Sequence, residues 1–193
     1  NAVKIDDTEF ASRIYANIKG LAHVVGYLKY PTKDSAGFYY EEEYRGQSGV
    51  ERVYNDLLRG KNGLKITETD ALGHLVSESV IDLPADGNDL VLSVDALLTQ
   101  ELYNAMQSLA EEKGFSGGAG IIMDVETGEI LALASFPEYD QNVVTTGKNK
   151  KEIQKLFNSP TKPFLNRAVS GLYTPGSIVK PIVALGALSE GII

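Results

Sequence analysis

The segment GAGIIMDVETGEILALASFP (Gly118 to Pro137) has two apolar runs on either side of the short turn sequence ETG. Apolar runs rich in β-branched residues and bounded by glycine and proline are typical of strands. A short glycine-containing link between two such runs predicts an antiparallel hairpin. This hairpin is the clearest fold signal in the chain, and the neighbouring elements can be placed outward from it.

The hairpin is preceded by a predicted strand and helix and is followed by a polar segment. DLVLSVD (Asp89 to Asp95) is predicted to form a strand. Asp95 suits the N-cap position, so a helix is predicted to follow it and to end at Gly114. The segment 138–154 is interpreted as a polar connection. Its basic patch is interpreted as a solvated loop and consists of Lys148, Lys150 and Lys151.

The first 90 or so residues are predicted to form short strands and loops with a helix or two. LAHVVGYLKYP (Leu21 to Pro31) is predicted to be a strand. GVERVYNDLLRG (Gly49 to Gly60) has apolar residues at helical spacing, which predicts an amphipathic helix that stops at Gly60. KITETDALGHLVSESVIDLP (65–84) is predicted to be a hairpin that turns around DALG.

Composition excludes several classes of function. The chain has 193 residues and a net charge of −8, so it has no basic surface that would favour a nucleic-acid partner. It has no cysteine, which excludes disulfides, thiolate zinc sites and a cysteine nucleophile. His23 and His74 lack a second histidine at ligand spacing, so both are interpreted as structural and no metal site is predicted. No apolar run reaches the roughly 20 residues that a membrane span needs.

The segment YTPGSIVKP (Tyr173 to Pro181) places a serine three residues before a lysine at the predicted start of an apolar helix. Residues three apart lie on one helical face, so the Lys180 amine would lie beside the Ser177 hydroxyl. A neutral lysine can take the proton from a serine and make it nucleophilic. The apolar Ile178 and Val179 predict dry surroundings that would favour the neutral amine.

The same residues have a purely structural interpretation, and the local pattern does not decide between the two. Serine is a favoured helix N-cap, and a lysine beside it can extend its amine into solvent. A second S-x-x-K match, SPTK (Ser159 to Lys162), shows that the pattern alone is weak evidence. Proline follows both its serine and its lysine, so this copy is predicted to be a loop.

Several blocks of the chain resemble class B penicillin-binding proteins, the monofunctional D,D-transpeptidases of bacterial cell-wall synthesis. The blocks follow one another in family order and cover nearly the whole chain. They are AHVVGY (22–27), GQSGVERVYNDLLRGKNG (46–63), ETDALGHLV (68–76), LVLSVD (90–95), GAGIIMDVETGEILALASFPEYDQN (118–142) and NRAVSGLYTPGSIVKP (166–181).

The resemblance implies an α+β chain with two parts. Residues 1–88 would form a β-rich, non-catalytic pedestal domain of the dimerisation type. Residues 89–193 would form the first part of a penicillin-binding/serine-transferase α/β domain, with its hairpin and nucleophile helix. Ser177 would attack the penultimate D-Ala carbonyl of a stem pentapeptide, Lys180 would deprotonate Ser177, and the Ser177 N–H would form half of an oxyanion hole. No cofactor is implied.

The resemblance also implies partners and a location. β-Lactam antibiotics would acylate the same serine. A membrane glycosyltransferase and other cell-wall synthesis proteins would bind the protein. It would work at the extracytoplasmic face of the bacterial cell membrane, held there by an N-terminal anchor that is absent from this sequence.

The chain departs from the family pattern in ways that keep other interpretations open. It has neither the S-x-N nor the K-T-G motif, and Ile178 and Val179 stand where the family often has Thr and Phe. The last helix is apolar nearly all round, so it is expected to be covered within a larger domain. The chain is therefore expected to be an incomplete unit with little activity alone. The alternatives are a non-catalytic docking module and a β-lactam sensor or serine β-lactamase.

Overall fold

The computed structural model describes residues 13–29, 32–33, 39–41 and 44–193. The described residues form short helices and antiparallel strand pairs, a mixed α+β arrangement as predicted. In chain order the elements are α1 (Ala22–Val25), β1 (Leu28–Lys29), β2 (Thr32–Lys33), β3 (Tyr39–Glu41), β4 (Arg45–Gly46), α2 (Gly49–Val53), α3 (Asn55–Leu58), β5 (Leu64–Thr69), β6 (Leu75–Asp82), α4 (Ala96–Lys113), β7 (Gly118–Met123), β8 (Ile130–Phe136), α5 (Gln141–Thr146), α6 (Lys150–Phe157), α7 (Arg167–Ser170), a 3₁₀ turn (Gly176–Val179) and α8 (Lys180–Ser189).

The β7–β8 hairpin is present as predicted and packs one face against α4. Gly120 pairs with Ala134 in the antiparallel register. Ala132 and Ala134 are fully buried because α4 covers this face. A Cβ on Gly120 would come within 2.8 Å of a Leu102 methyl group, so a larger residue would require the Leu102 side chain to move. Tyr103 of α4 stacks edge-on against Phe136 at 5.5 Å between ring centroids.

Helix α4 is capped as predicted, but the segment before it is not a strand. The Asp95 Oδ1 atom accepts a hydrogen bond of 2.9 Å from the Leu98 N–H. Gly114 ends the helix in the left-handed conformation. The prediction of a strand over 89–95 was wrong: the segment makes two contacts with the start of β8 instead of a ladder. The Asp95 N–H donates to the Leu131 carbonyl, and the Ser93 hydroxyl donates to the Ile130 carbonyl.

The β5–β6 hairpin confirms the turn predicted at DALG. Asp70 organises the turn, because its Oδ1 atom accepts hydrogen bonds from the Leu72 and His74 N–H groups at 2.8 Å each. The His74 ring pairs with Asp70 Oδ2 at 2.9 Å, which gives this histidine a structural role. Every side chain of both strands is exposed.

The strand predicted over 21–31 was wrong for the part of that range that the structure describes, since Tyr30 and Pro31 lie outside it. Residues 22–25 form the helical turn α1, and only Leu28–Lys29 are extended. Long-range contacts override the β-propensity of this run. The Glu138 carboxylate accepts hydrogen bonds from the N–H groups of Gly20 and Ala22, which fixes the start of the turn.

The amphipathic helix predicted over 49–60 is broken into α2 and α3 at Tyr54, whose backbone leaves the helical region. Gly60 follows α3 with a positive φ, which agrees with its predicted role as a stop. The predicted apolar face is not a buried stripe, because Val53 is 74% exposed. The buried residue of α2 is instead Glu51.

The segment 138–154 was predicted to be a polar connection, but it contains α5 and α6. Asp140 caps α5 by accepting hydrogen bonds from two N–H groups of its first turn. Asn149 caps α6 by accepting one from the Glu152 N–H. The cap residues Asp and Asn were the available sequence signals for both helices. Lys148, Lys150 and Lys151 are all exposed, but the interpretation as a loop was wrong for Lys150 and Lys151, which begin α6.

Candidate active site

Ser177 lies in the 3₁₀ turn that leads directly into α8. The preceding Gly176 has φ of +58°, a left-handed conformation that glycine adopts without steric cost and that makes the sharp entry after Pro175. The Lys180 N–H donates to the Ser177 carbonyl, so the two residues are one 3₁₀ turn apart. Side chains three residues apart are eclipsed on a 3₁₀ helix, which places the hydroxyl and the amine on the same side.

The position of Ser177 argues against the N-cap interpretation. The residue flanking the 3₁₀ turn is Pro175, and the residue flanking α8 is Val179. Ser177 therefore lies inside the turn, and no side-chain cap hydrogen bond forms at either start. Pro181 lies in the first turn of α8, where its missing N–H costs no helical hydrogen bond.

The predicted dry surroundings of this pair are not found among the described residues. Ser177 and Lys180 are both exposed, and Ile178 is 77% exposed. No hydrogen bond joins the two side chains in the described part of the chain. The prediction failed because flanking apolar residues dehydrate a site only when other elements pack on them.

Helix α8 is apolar and largely exposed. Its large side chains, including Ile182, Leu185 and Leu188, are exposed along its length. The sequence predicts that an all-round apolar helix is covered within a domain. The described residues leave it uncovered.

The segment that leads to Ser177 is anchored on the β7–β8 hairpin by Ser135, which is fully buried. Its hydroxyl donates to the Leu165 carbonyl at 3.1 Å and accepts from the Arg167 N–H at 3.0 Å. The Arg167 guanidinium donates to the carbonyls of Thr161, Lys162 and Leu165. One buried hydroxyl and one guanidinium therefore hold the chain about ten residues before Ser177.

The second S-x-x-K copy lies in a loop, as predicted. The Ser159 hydroxyl hydrogen bonds to the Thr161 hydroxyl at 2.8 Å. Lys162 has φ of +46°, which is incompatible with a right-handed helical turn running through both residues. The loop is also part of the Arg167 anchor, since the Lys162 carbonyl accepts from that guanidinium.

The described N-terminal residues pack against the start of the segment 138–154 through paired polar groups. Tyr15 and Asn142 exchange two hydrogen bonds of 3.0 Å between the Tyr15 backbone and the Asn142 amide. The Leu28 N–H donates to the Thr145 hydroxyl. Burial raises the pKa of Glu138, while the two backbone N–H groups that it accepts from act in the opposite direction.

An aromatic cluster joins the same two parts of the chain. We define it as His23, Tyr27, Tyr139, Phe157 and Phe164. Tyr139 and Phe164 are stacked with centroids 4.7 Å apart, and Phe164 and Phe157 are stacked at 4.5 Å. His23 and Tyr27 each meet Tyr139 edge-on. The Tyr139 hydroxyl donates to the Ala22 carbonyl at 2.9 Å, and burial raises the pKa of Tyr139 to about 12.

Two buried polar atoms lack partners in the described part of the chain, His23 Nε2 and Glu51 Oε2. Burial lowers the pKa of His23 to about 4, and the positive charge of Arg167 contributes to this shift. Burial raises the pKa of Glu51, while Arg13 at 3.5 Å opposes the shift.

The described residues contain no group of three or more residues that could hold a metal ion, and none of their helices is long and apolar enough to cross a membrane.

Sequence reasoning missed the Ser135–Arg167 anchor and the aromatic cluster. Each depends on contacts between residues more than 20 positions apart, such as Ser135 with Arg167 and His23 with Tyr139, so no local spacing identifies them. The residues NRA (166–168) were noted only as part of a longer resembling block.

Two family models match the chain. The penicillin-binding protein dimerisation domain matches residues 3–92, and the penicillin-binding protein transpeptidase domain matches residues 118–193. The peptidoglycan D,D-transpeptidase MrdA of Acinetobacter baumannii is 38% identical over 190 residues, which is 94% of this chain and 27% of that protein. The chain spans less than a third of the length of the curated relatives it matches.

Solved structures give the same family. A peptidoglycan synthase complex contains a chain that superimposes with a TM-score of 0.74 and 31% identity, over 93% of this chain and 33% of that one. The complex between penicillin-binding protein PBP2 and MreC from Helicobacter pylori matches with a TM-score of 0.64 and 36% identity, over 91% of this chain and 32% of that one. The chain therefore belongs to the penicillin-binding proteins, with a dimerisation domain followed by transpeptidase-domain sequence in a mixed α+β fold.

Proposed function

We propose that the chain is part of a serine D,D-transpeptidase that cross-links peptidoglycan stem peptides, with Ser177 as nucleophile and Lys180 as base. The observation that carries the proposal is the 3₁₀ turn before α8, in which the Lys180 N–H donates to the Ser177 carbonyl and the two residues fall on the same side. The family match over 118–193 and the D,D-transpeptidase relatives support the same activity.

The reaction proceeds in two acyl transfers. Lys180 Nζ takes the Ser177 hydroxyl proton while Oγ bonds to the penultimate D-Ala carbonyl carbon. The carbon–nitrogen bond to the terminal D-Ala then breaks, and the leaving amine receives the proton from Lys180. An acceptor amine next attacks the Ser177 ester, gives its proton to Lys180 and forms the cross-link, and Ser177 Oγ regains a proton.

The start of α8 supports the developing negative charge. The first backbone N–H groups of a helix have no intrahelical acceptor, and they point toward the N-terminal end. The Ser177 N–H is one such group and would hold the oxyanion of the tetrahedral intermediate. The strained four-membered ring of a β-lactam presents the same kind of carbonyl, so these antibiotics acylate Ser177 in our proposal.

The proposal places the protein at the extracytoplasmic face of the membrane, where peptidoglycan is assembled. Two of the similar structures are a peptidoglycan synthase complex and a PBP2–MreC complex, which supports binding to a membrane glycosyltransferase and to other cell-wall synthesis proteins.

Docking is a second candidate role of the N-terminal part, and the β5–β6 hairpin favours it. Both faces are exposed, and its apolar residues include Leu72, Val76 and Val80.

Docking can be tested by replacing Val76 and Val80 with lysine in a full-length protein that contains this chain. The double substitution should reduce the amount of partner glycosyltransferase that co-purifies with the protein, while the expression level of the protein stays the same. The control replaces Thr67 and Thr69 of β5 with lysine, because these side chains are already polar. Equal recovery with both pairs would count against the hairpin as the docking surface.

Catalysis can be tested with a fluorescent penicillin and a full-length protein that contains this chain. The wild-type protein should be labelled, and Ser177→Ala should not be labelled, because it removes the proposed nucleophile. Ser159→Ala, in the second S-x-x-K copy, is the matched control and should be labelled like wild type. Labelling of Ser177→Ala at the wild-type level would refute the proposal.

A further inference from the structure

A cavity of about 680 Å³ lies between the N-terminal helices and the segment that precedes the nucleophile. Part of its lining comes from α1, α2 and residues next to them, and the rest comes from Tyr139, Phe157, Phe164 and Asn166. Small-molecule sites in proteins commonly have volumes of about 300 to 1,000 Å³. The cavity is separate from Ser177 and Lys180, which are not among its lining residues.

The apolar wall of the cavity suits a flat ring. Tyr139, Phe164 and Phe157 form a continuous stack, and Phe157 is exposed at its end. Offset stacking on such faces stabilises a bound aromatic ring by about 0.5–1.5 kcal/mol beyond the area it buries.

A guanidinium lies at the same cavity without a partner. Arg52 lines the cavity and makes no ion pair or side-chain hydrogen bond within the residues that the structure describes. Guanidinium groups bind carboxylates through two parallel hydrogen bonds. The charge that complements this side of the cavity is therefore negative.

His23 supplies a buried hydrogen-bond acceptor. Its side chain lines the cavity, and the residue is only 8% exposed. Burial lowers the pKa of His23 to about 4, so the ring is neutral near pH 7 and one of its two nitrogens can accept a hydrogen bond. Nε2 has no partner among the described residues, so it can serve as that acceptor. A buried polar atom without a partner is uncommon in native proteins and points to a ligand or water.

We propose that this cavity binds a small aromatic carboxylate that also carries a hydroxyl or N–H donor. The ring stacks on the aromatic cluster, the carboxylate pairs with Arg52, and the donor reaches His23 Nε2. The lining residues come from distant parts of the chain, so the ligand would tie the N-terminal helices to the segment that leads to Ser177. This inference does not depend on the proposed catalytic function.

The probe is 6-hydroxy-2-naphthoic acid, which has a flat two-ring body, a carboxylate and a hydroxyl. Isothermal titration with a full-length protein that contains this chain should show saturable binding at one site. At about 0.3 kcal/mol per non-hydrogen atom, the expected Kd is about 1 mM or below. The melting temperature should rise with probe concentration. Absence of saturation up to about 5 mM would overturn the proposal.

Matched probes separate the polar contacts. 2-Naphthoic acid lacks the hydroxyl and 6-hydroxy-2-naphthamide lacks the carboxylate, so both should bind at least several-fold more weakly. Equal affinity for all three compounds would mean that only the ring is recognised, and it would overturn the assignment of Arg52 and His23.

Variants locate the site. Arg52→Met should weaken probe binding about tenfold, because a hydrogen bond to a charged group is worth about 1.5–3 kcal/mol. The control is Arg59→Met, a nearby arginine that pairs with Asp56 and lies outside the cavity lining. Val53→Trp should abolish binding, because this largely exposed residue lines the cavity and the larger ring fills it without disturbing the core. Unchanged binding in both Arg52→Met and Val53→Trp would overturn the proposal.

Discussion

The aromatic cluster and the turn that carries Ser177 and Lys180 differ in the interactions that fix their conformation. The cluster is buried or half-buried except at Phe157, and its polar groups mostly have partners from distant parts of the chain, such as the Tyr139 hydroxyl on the Ala22 carbonyl. Ser177 and Lys180 are placed by one local turn and are exposed to solvent. The same chain therefore combines a region fixed by long-range packing with a proposed reactive pair whose backbone is fixed by one local turn.

The difference predicts how each region responds to substitution. Changes in the buried region should affect the free energy of unfolding, because each removed group leaves a partner without a hydrogen bond or a ring contact. Changes at the reactive pair should affect chemistry and leave stability almost unchanged.

The largest effect is expected at Lys180. Lys180→Ala should slow acylation by a β-lactam about 10²–10⁴-fold in a full-length protein, because it removes the group that takes the Ser177 proton. Stopped-flow measurement of the acylation rate provides the test. Lys162→Ala, from the loop copy of the motif, should leave the rate unchanged. A wild-type rate for Lys180→Ala would show that another group is the base.

The next effect is expected at Ser135, and it concerns stability. Ser135→Ala leaves the part-buried Arg167 N–H without its acceptor and removes one of the two hydrogen bonds to the Leu165 carbonyl, which should cost about 1–3 kcal/mol of unfolding free energy. Urea unfolding of the variant gives the value. Ser108→Ala, on the exposed side of α4, should change stability by less than about 0.5 kcal/mol. Equal stability of the two variants would mean that the anchor is weak.

The burial of His23 predicts that the free energy of unfolding depends on pH, and this effect should be of intermediate size. Its pKa in the folded state is about 4, below the usual value of 6.5, so the unfolded state binds the proton more tightly. The contribution of neutral His23 is therefore fully present above about pH 6.5 and is lost progressively as pH falls toward 4. The loss should be on the order of 2–3 kcal/mol.

The contribution of His23 can be isolated with His23→Phe, which keeps a ring against Tyr139. The buried Glu51 and Glu138 have raised pKa values and shift stability in the opposite direction, so the comparison must be with the variant. The stability of wild type relative to His23→Phe should fall between pH 7 and pH 4.5. A constant difference over this range would contradict a buried neutral histidine.

The smallest effect is expected on α8. Leu188→Ala should change the unfolding free energy of the 193-residue chain by less than about 0.5 kcal/mol, because the side chain is exposed. Thermal or urea unfolding provides the measurement. A loss above about 2 kcal/mol, as is typical of core leucine, would show that α8 is packed against other parts of the chain in solution.

Sequence predicted the elements whose signals are local. The β7–β8 and β5–β6 hairpins, the Asp95 cap of α4 and the loop at Ser159–Lys162 each depend on residues within one short window. The turn that carries Ser177 was predicted for the same reason, from Gly176 and the position of Pro181.

Predictions from the sequence were wrong where contacts with distant residues determine the conformation. The β-branched run at 22–25 becomes a helical turn because Glu138 binds its first N–H groups. Burial of Glu51, rather than of Val53, follows from contacts with Tyr15 and Arg13 that lie outside any helical period. The exposure of Ser177 likewise depends on what packs over α8, which its own sequence does not determine.

The most direct test of the central claim is the site of covalent attachment. A full-length protein that contains this chain is treated with benzylpenicillin, digested and analysed by tandem mass spectrometry. The account predicts one penicilloyl group, carried by the peptide that contains Ser177 and attached to that serine. A penicilloyl group on Ser159 or on any other residue, with Ser177 unmodified, would contradict it.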